Sequence, residues 1–390
     1  MLQKAIQSRN FDQARKLITE GERLPKNLLS YQKKAIFDAL VRGKAFDIVD
    51  LLIEEGTIES DLYEYDDFSE SFFKSLIDHL DDDQASLDFL QYFLGRVDNI
   101  NDEVGGVTFL ELALLQEVNI NIFQVMVDSG CQVDIVKSSN DNLIHKIIRQ
   151  RSRQPEKALA CLQLLFDKGV DINQGNINGD TPLHCAVRED RGIYLKWLLE
   201  NGADANVCND KGESAFSIAI THSASPSLYA VLCGYDSPDF GQSIQGRPPL
   251  LFEALKMMSD QNESSLHFFR QLLEDGADLY QVGSDIYGNE IDATDALVVR
   301  EAGFLKVALD SDRLDVNQKD NQGNTLLHKF CQRETLHEER RAREVYRAVK
   351  YLLAAGADAN AVNDREETPL MIASNDDLKV KTVQLLLSYT

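Results

Sequence analysis

The 390-residue chain is predicted to be an all-α solenoid of stacked helix pairs joined by loop fingers. Three observations predict it. A segment of about 33 residues recurs along the chain. Two of the clearest copies open a helix on Thr-Pro-Leu, and nearly all close one on a leucine-rich turn ending in glycine. Between closing and opening lies a polar run rich in Asn, Asp and Gly, which has turn chemistry.

The unit is plainest in QLLFDKGVDINQGNINGDTPLHCA (163–186), LKWLLENGADANVCNDKGESAFSIA (195–219) and VKYLLAAGADANAVNDREETPLMIA (349–373). Weaker copies cover 125–147, 272–282 and 314–330. The closing glycines are Gly21, Gly56, Gly130, Gly169, Gly202, Gly234, Gly276 and Gly356, with degenerate ends near Gly95 and Ser311.

Each part has a physical reason. Threonine before Pro182 can accept a bond from a free N–H of the first turn, and proline at the first helical position forfeits no hydrogen bond. Thr181-Pro182 and Thr368-Pro369 therefore start helices. In the second helix Leu195, Leu198 and Leu199 fall at i, i+3 and i+4, an apolar stripe that one helix pair cannot bury without a neighbour. Gly202 then permits the left-handed backbone that ends the helix.

G-A-D-x-N, a turn, G-x-T-P-L-H-x-A and a closing L-L-x-x-G together resemble the ankyrin repeat. The resemblance is strongest over 163–219 and 314–375, fair over 101–147 and weak before residue 100. It implies about ten stacked repeats, fingers on one side, a concave surface of fingers and inner helices, and a role in binding another protein. Residues 1–100 are then degenerate N-terminal repeats, and 101–390 the array proper with insertions at 235–249, 280–295 and 331–349. The second insertion is expected to be an extended finger. The third, rich in charged helix formers, is expected to lengthen both helices of its repeat. Departures from the pattern are Glu366 for the turn glycine, Asn142-Leu143 for Thr-Pro, and Leu326 for proline.

His184 beside Cys185 invites a catalytic or metal reading. Equivalent histidines stand at His145 and His328, while the cysteine position becomes Lys146, Lys329 or Met371. A reactive pair is not copied in half, so the histidine is read as structural, its ring bonding loop backbone. No HExxH, paired-cysteine, GxxxxGK[ST], GxGxxG or GxSxG run occurs, and the expectation is no metal, cofactor or catalytic residue. The six scattered cysteines suggest reduced thiols.

Net charge is −24, which opposes nucleic acid and anionic lipid and favours either a protein partner with a basic segment or solubility alone. No apolar run is long enough to span a bilayer, and the start MLQKAIQSRNFDQARKLITEG, patterned as an amphipathic helix, lacks a signal-peptide core, so a cytoplasmic location is expected; a monomer is favoured. In the acidic stretch 59–83, Phe72 and Phe73 are assigned to the core, whereas Tyr63, Tyr65 and Phe68 are open as anchors. The basic run 147–157 is read as a longer solvated helix end.

Partner-binding side chains are sought where the best repeats depart from the pattern. They are Asn176, Ile177, Arg188 and Glu189; Cys208, Asp210 and Lys211; Lys319, Asn321 and Gln322; Asp364 and Arg365; and Tyr280 and Tyr287 on the long finger. Ile177, Val207 and Val362 are apolar at finger tips. Two other readings are an effector of an intracellular bacterium acting on host proteins, and the substrate-recruiting half of a longer enzyme.

Overall fold

The computed structural model describes residues 1–134, 139–222, 225–241, 247–259 and 262–390, in two compact units, Met1–Gly202 and Ala203–Thr390. Among the described residues the first unit holds six helix pairs. They are Leu2–Gln7 with Phe11–Thr19, Ser30–Arg42 with Phe46–Glu54, Phe72–His79 with Gln84–Leu94, Phe109–Leu115 with Ile120–Asp128, Leu143–Arg149 with Pro155–Asp167, and Pro182–Arg188 with Gly192–Glu200. From Ser30 onward, first helices pack on first helices, and from Gln84 second helices pack on second helices, as a repeating stack requires.

The second unit holds five pairs: Ala215–Thr221 with Pro226–Cys233, Leu250–Met257 with Glu263–Glu274, Ala293–Val299 with Ala302–Asp310, Leu326–Gln332 with Glu339–Ala354, and Pro369–Ala373 with Val380–Leu387. Its first helices also form a continuous row. One two-stranded antiparallel hairpin, Gly283–Ser284 with Glu290–Ile291, stands in the predicted long finger. Among the described residues no helix is long and apolar enough to cross a membrane.

Sequence and structure agree on how the units begin and end. Thr181 and Thr368 are helix N-caps with Pro182 and Pro369 in the first turn, and Asn142 and Thr325 cap where the threonine-proline pair is incomplete. Leu195 and Leu198 are fully buried and Leu199 nearly so. Gly202 has φ +88°, the left-handed conformation that a side chain disfavours.

Four local expectations are corrected. Gly95 and Gly234 stay right-handed at their helix ends, so those two repeats close without the left-handed turn. The N-terminal amphipathic segment is two helices, because Arg9 turns left-handed (φ 58°) and Asn10 caps a second start by accepting from Gln13 N–H. The insertion 331–349 lengthens only the second helix, to 16 residues; the first stays at 7 and leaves helical geometry at Arg333, whose guanidinium donates to the Arg300 and Val299 carbonyls. In the basic run the first helix ends at Arg149, and Gln150 to Gln154 form the loop to the next. Most of the insertion 235–249 is described, but 242–246 lie outside the described residues.

Candidate partner-binding surface

The fingers are built by one repeated device. Asn176, Asn209, Asp285, Asp320 and Asn363 each accept, on one side-chain oxygen, the N–H groups two and four residues ahead. Each also donates its own N–H to the carbonyl four residues on, at 2.9 to 3.1 Å. Three residues after each stands a left-handed residue: Gly179, Gly212, Gly288, Gly323 and Glu366. The side-chain oxygen satisfies donors that a tight turn would otherwise leave open, so the finger is rigid.

The histidines then tie fingers to helices. Thr181 N–H donates to His184 Nδ1 at 3.0 Å, and Thr325 N–H to His328 Nδ1 at 3.1 Å. With Nδ1 accepting, His328 Nε2 carries the proton and donates to the Glu367 carbonyl (3.1 Å), and His145 Nε2 is hydrogen-bonded to the Asp180 carbonyl (2.9 Å). Each bond reaches the finger of the following repeat. Burial holds both imidazoles below the ordinary histidine range.

His184 and Cys185 are not a reactive pair. Arg149 Nη2 donates to Cys185 Sγ at 3.5 Å, and burial pushes the thiol up, away from the thiolate a nucleophile needs. No cysteine is in a disulfide, and among the described residues no three His, Cys, Asp or Glu side chains gather as a metal site would require.

The residues sought for partner contact fall into two groups. Asn176 is buried, its side chain spent on its own turn and on Asp141, so it shapes the finger and does not face outward. Tyr280 is half-buried, with its hydroxyl on the Asp315 carbonyl (2.9 Å) and its pKa pushed up to about 12 by burial. The others are exposed. In the first unit Ile177 stands at a finger tip, while Arg188 and Glu189 end the first helix, Arg188 gripping Asp180 with both terminal nitrogens (2.8 and 3.1 Å).

In the second unit Cys208, Asp210, Lys211, Tyr287, Lys319, Asn321, Gln322, Asp364 and Arg365 are exposed, as is Val362, while Val207 is half-buried. Lys319 Nζ donates to the Val362 carbonyl (2.8 Å) and Asp364 N–H to the Gln322 carbonyl (3.1 Å), which joins those two fingers. The hairpin tip carries Ile286 at 88% and Tyr287 at 83% exposure. Ile286 escaped the sequence reading, although an isoleucine beside a tyrosine inside a turn is the signal that could have found it.

In the acidic stretch Phe68, Phe72 and Phe73 are core residues. Tyr65 lies edge-on to Phe73 and donates to the Glu59 carbonyl, which leaves Tyr63 as the exposed aromatic there.

Comparison with known proteins places these features in a family. Three copies of the ankyrin repeats family model match residues 110–207, 152–240 and 289–390. Over 117 residues the chain is 29% identical to an ankyrin repeat protein of Fowlpox virus (strain NVSL), covering 30% of this chain and 33% of that protein. A 58-residue stretch is 36% identical to the E3 ubiquitin-protein ligase KEG of Arabidopsis thaliana, 15% of this chain and 4% of the ligase. The matches thus span a third or less of these relatives. The ankyrin repeat domain of Bcl-3, a unique member of the IkappaB protein family, superposes with a TM-score of 0.50 at 21% identity, over 64% of this chain and all of that domain; it shares the fold.

Proposed function

This chain belongs to the ankyrin repeat family, whose repeats are generally protein–protein interaction modules, and we propose that it binds a protein partner through its finger tips, with the Ile286–Tyr287 hairpin as principal anchor. The observation that carries the proposal is the exposure of these two large apolar side chains at 88% and 83% on a turn locked by Asp285. Exposed aromatic and aliphatic groups on a rigid support lose little entropy on binding and supply most of an interface's energy.

Around this anchor Asn321, Gln322, Asp364 and Arg365 supply polar contacts, with Lys319, Cys208, Asp210 and Lys211 beyond them. Ile177, Arg188 and Glu189 are the corresponding contacts of the first unit. In this proposal residues 1–100 are degenerate repeats, the array proper runs over 101–390, and its insertions supply loops on the binding side. Repeats of this kind are typically non-catalytic. The partial match to a ubiquitin ligase supports one further reading, in which the array recruits substrates for a longer enzyme.

Photo-crosslinking from position 287 in native lysate, compared with capture by the Ile286→Ser/Tyr287→Ser double variant, tests the proposal. Partners crosslinked at 287 and lost from the double variant are expected; undiminished capture would place the interface elsewhere. Ubiquitylation of the captured partners in that lysate would favour the ligase reading.

A further inference from the structure

Two pairs of neighbouring fingers are joined sideways by main-chain bonds. In the first unit Ile177 N–H donates to the Ser139 carbonyl (2.8 Å), and in the second Asp364 N–H donates to the Gln322 carbonyl (3.1 Å). Both follow one rule. The donor is the residue after the turn's Asx, Asn176 or Asn363, and the acceptor is the residue before the left-handed position, Asn140 or Gly323.

The same rule would pair Asn321 N–H, after Asp320, with the Tyr287 carbonyl, before Gly288. That bond is not made among the described residues. Asn321 instead reaches with Nδ2 to Glu290 Oε2 (2.8 Å), a side-chain bridge on an exposed surface.

The hairpin explains the consequence. Asp285 N–H donates to the Asn289 carbonyl (2.9 Å), and the register pairs Ser284 with Glu290 and Gly283 with Ile291. In an antiparallel ladder, bonded and non-bonded pairs alternate, so the main-chain groups of Ser284 and Glu290 face outward. The Ser284 side is satisfied, its N–H donating to the Arg247 carbonyl at 3.0 Å. The Glu290 side meets no main-chain partner among the described residues, and it faces the slot toward the 318–324 finger.

Charge selects what could enter. Glu290, Asp292, Asp295 and Asp320 line the slot with Lys319 and Lys329. Lys329 lies deep, at 2.7 Å from Asp295, 3.6 Å from Asp320 and 4.0 Å from Asp292, and the Lys319 ammonium is turned to the Val362 carbonyl. Four carboxylates exceed two ammonium groups, which favours a cationic visitor; Asp292, Asp295 and Asp320 are engaged with Thr294, Lys329 and turn N–H groups, so Glu290, held only by Asn321 among the described residues, is the carboxylate such a visitor meets. Val282 and Ile291 offer apolar wall to an alternate side chain.

We propose that the open hairpin edge at Glu290 receives an extended, arginine- or lysine-bearing segment of a protein partner, which adds as a strand along that one edge, with its side chains in the slot facing the 318–324 finger. This rests on the interaction reading and deepens it, naming the partner's local conformation and charge. The entering strand displaces only the Asn321–Glu290 side-chain bridge.

The test uses a fluorescein-labelled peptide of alternating arginine and valine, carrying a terminal photo-crosslinker, titrated against the full chain. Two further peptides carry N-methyl groups on every arginine or on every valine. Because strand addition uses the N–H groups of one alternate set, one methylated peptide is expected to bind at least about tenfold more weakly than the other. Crosslinks are expected within 282–292 and 318–322. Equal affinity of the two methylated peptides, or crosslinks confined to other acidic surface, would overturn the proposal. Loss of native partners from the Ile286→Ser/Tyr287→Ser variant together with equal peptide affinities would leave the interaction reading standing and remove strand addition alone.

Discussion

Two stretches of the first unit build the same helix pair by different means. From Ser30 to Leu94 the repeats are held by aromatic side chains: Phe72 meets Phe37 and Phe93 edge-on, and Phe73 packs against Phe93 and Phe109 with centroids 5.4 and 5.0 Å apart. From Leu143 to Glu200 no such cluster exists among the described residues, and a polar frame of Asx turns, threonine and asparagine caps and buried histidines does the joining. The first stretch is specified by volume and the second by hydrogen-bond geometry. Volume tolerates many sequences, and geometry tolerates few.

The contrast can be broken most forcefully at Phe73. It is fully buried and touches Tyr65, Phe68, Phe93 and Phe109, so Phe73→Ala is expected to cost about 3–5 kcal/mol, read as a lowered urea midpoint. His145→Leu in the polar stretch is expected to cost less, about 1–3 kcal/mol, by leaving the Asn142 N–H without its partner and the Asp180 carbonyl with only its bond from Asn176 N–H. Hydrogen exchange should localise the second loss to the fingers around 140–142 and 176–180 and leave the aromatic stretch protected.

Acid sharpens the comparison further. The folded state holds His145 and His328 below the ordinary value of 6.5, whereas the unfolded chain protonates them near it. Stability is therefore complete above about pH 6.5 and falls as pH drops toward the folded values, by up to about 1.4 kcal/mol per pH unit for each imidazole. Urea midpoints between pH 7.5 and 5.5 measure this, and a His145→Leu/His328→Leu double variant should flatten the slope.

The smallest expected effect concerns one residue in the frame. Glu366 adopts φ 62° where the other four Asx turns carry glycine, so Glu366→Gly should gain about 0.5–1 kcal/mol after glycine's own entropy cost. Gly323→Ala should do the reverse and more, since a Cβ there would lie 2.9 Å from Asp364 N. Thermal unfolding of the pair resolves the sign.

These differences also decide what the sequence disclosed. The polar frame was legible because caps and turns demand particular residue types at fixed offsets: Thr181-Pro182, Gly202 and the recurring histidines announce themselves. The aromatic repeats carry no such offsets, and only the burial of Phe72 and Phe73 was foreseen. Asn176 was sought as a contact because it was polar and in a finger. Its recurrence as Asn209, Asp285, Asp320 and Asn363, each three residues before the turn residue, marks it as a frame member. The open hairpin edge could not be read at all, since it consists of a main-chain bond that is not made.

The reach of the histidine bond has a genetic consequence. His145 and the carbonyl it holds are 35 residues apart, and His328 and its carbonyl 39. A deletion or duplication of one whole unit puts an equivalent carbonyl back at the ring, whereas a shift by half a unit presents the ring with a helix. Copy number in the polar stretch can therefore change only in whole steps. In the aromatic stretch the corresponding cross-repeat bond runs from Ser75 Oγ to Asp38 (2.7 Å), 37 residues apart, between two side chains and not to the main chain of a finger.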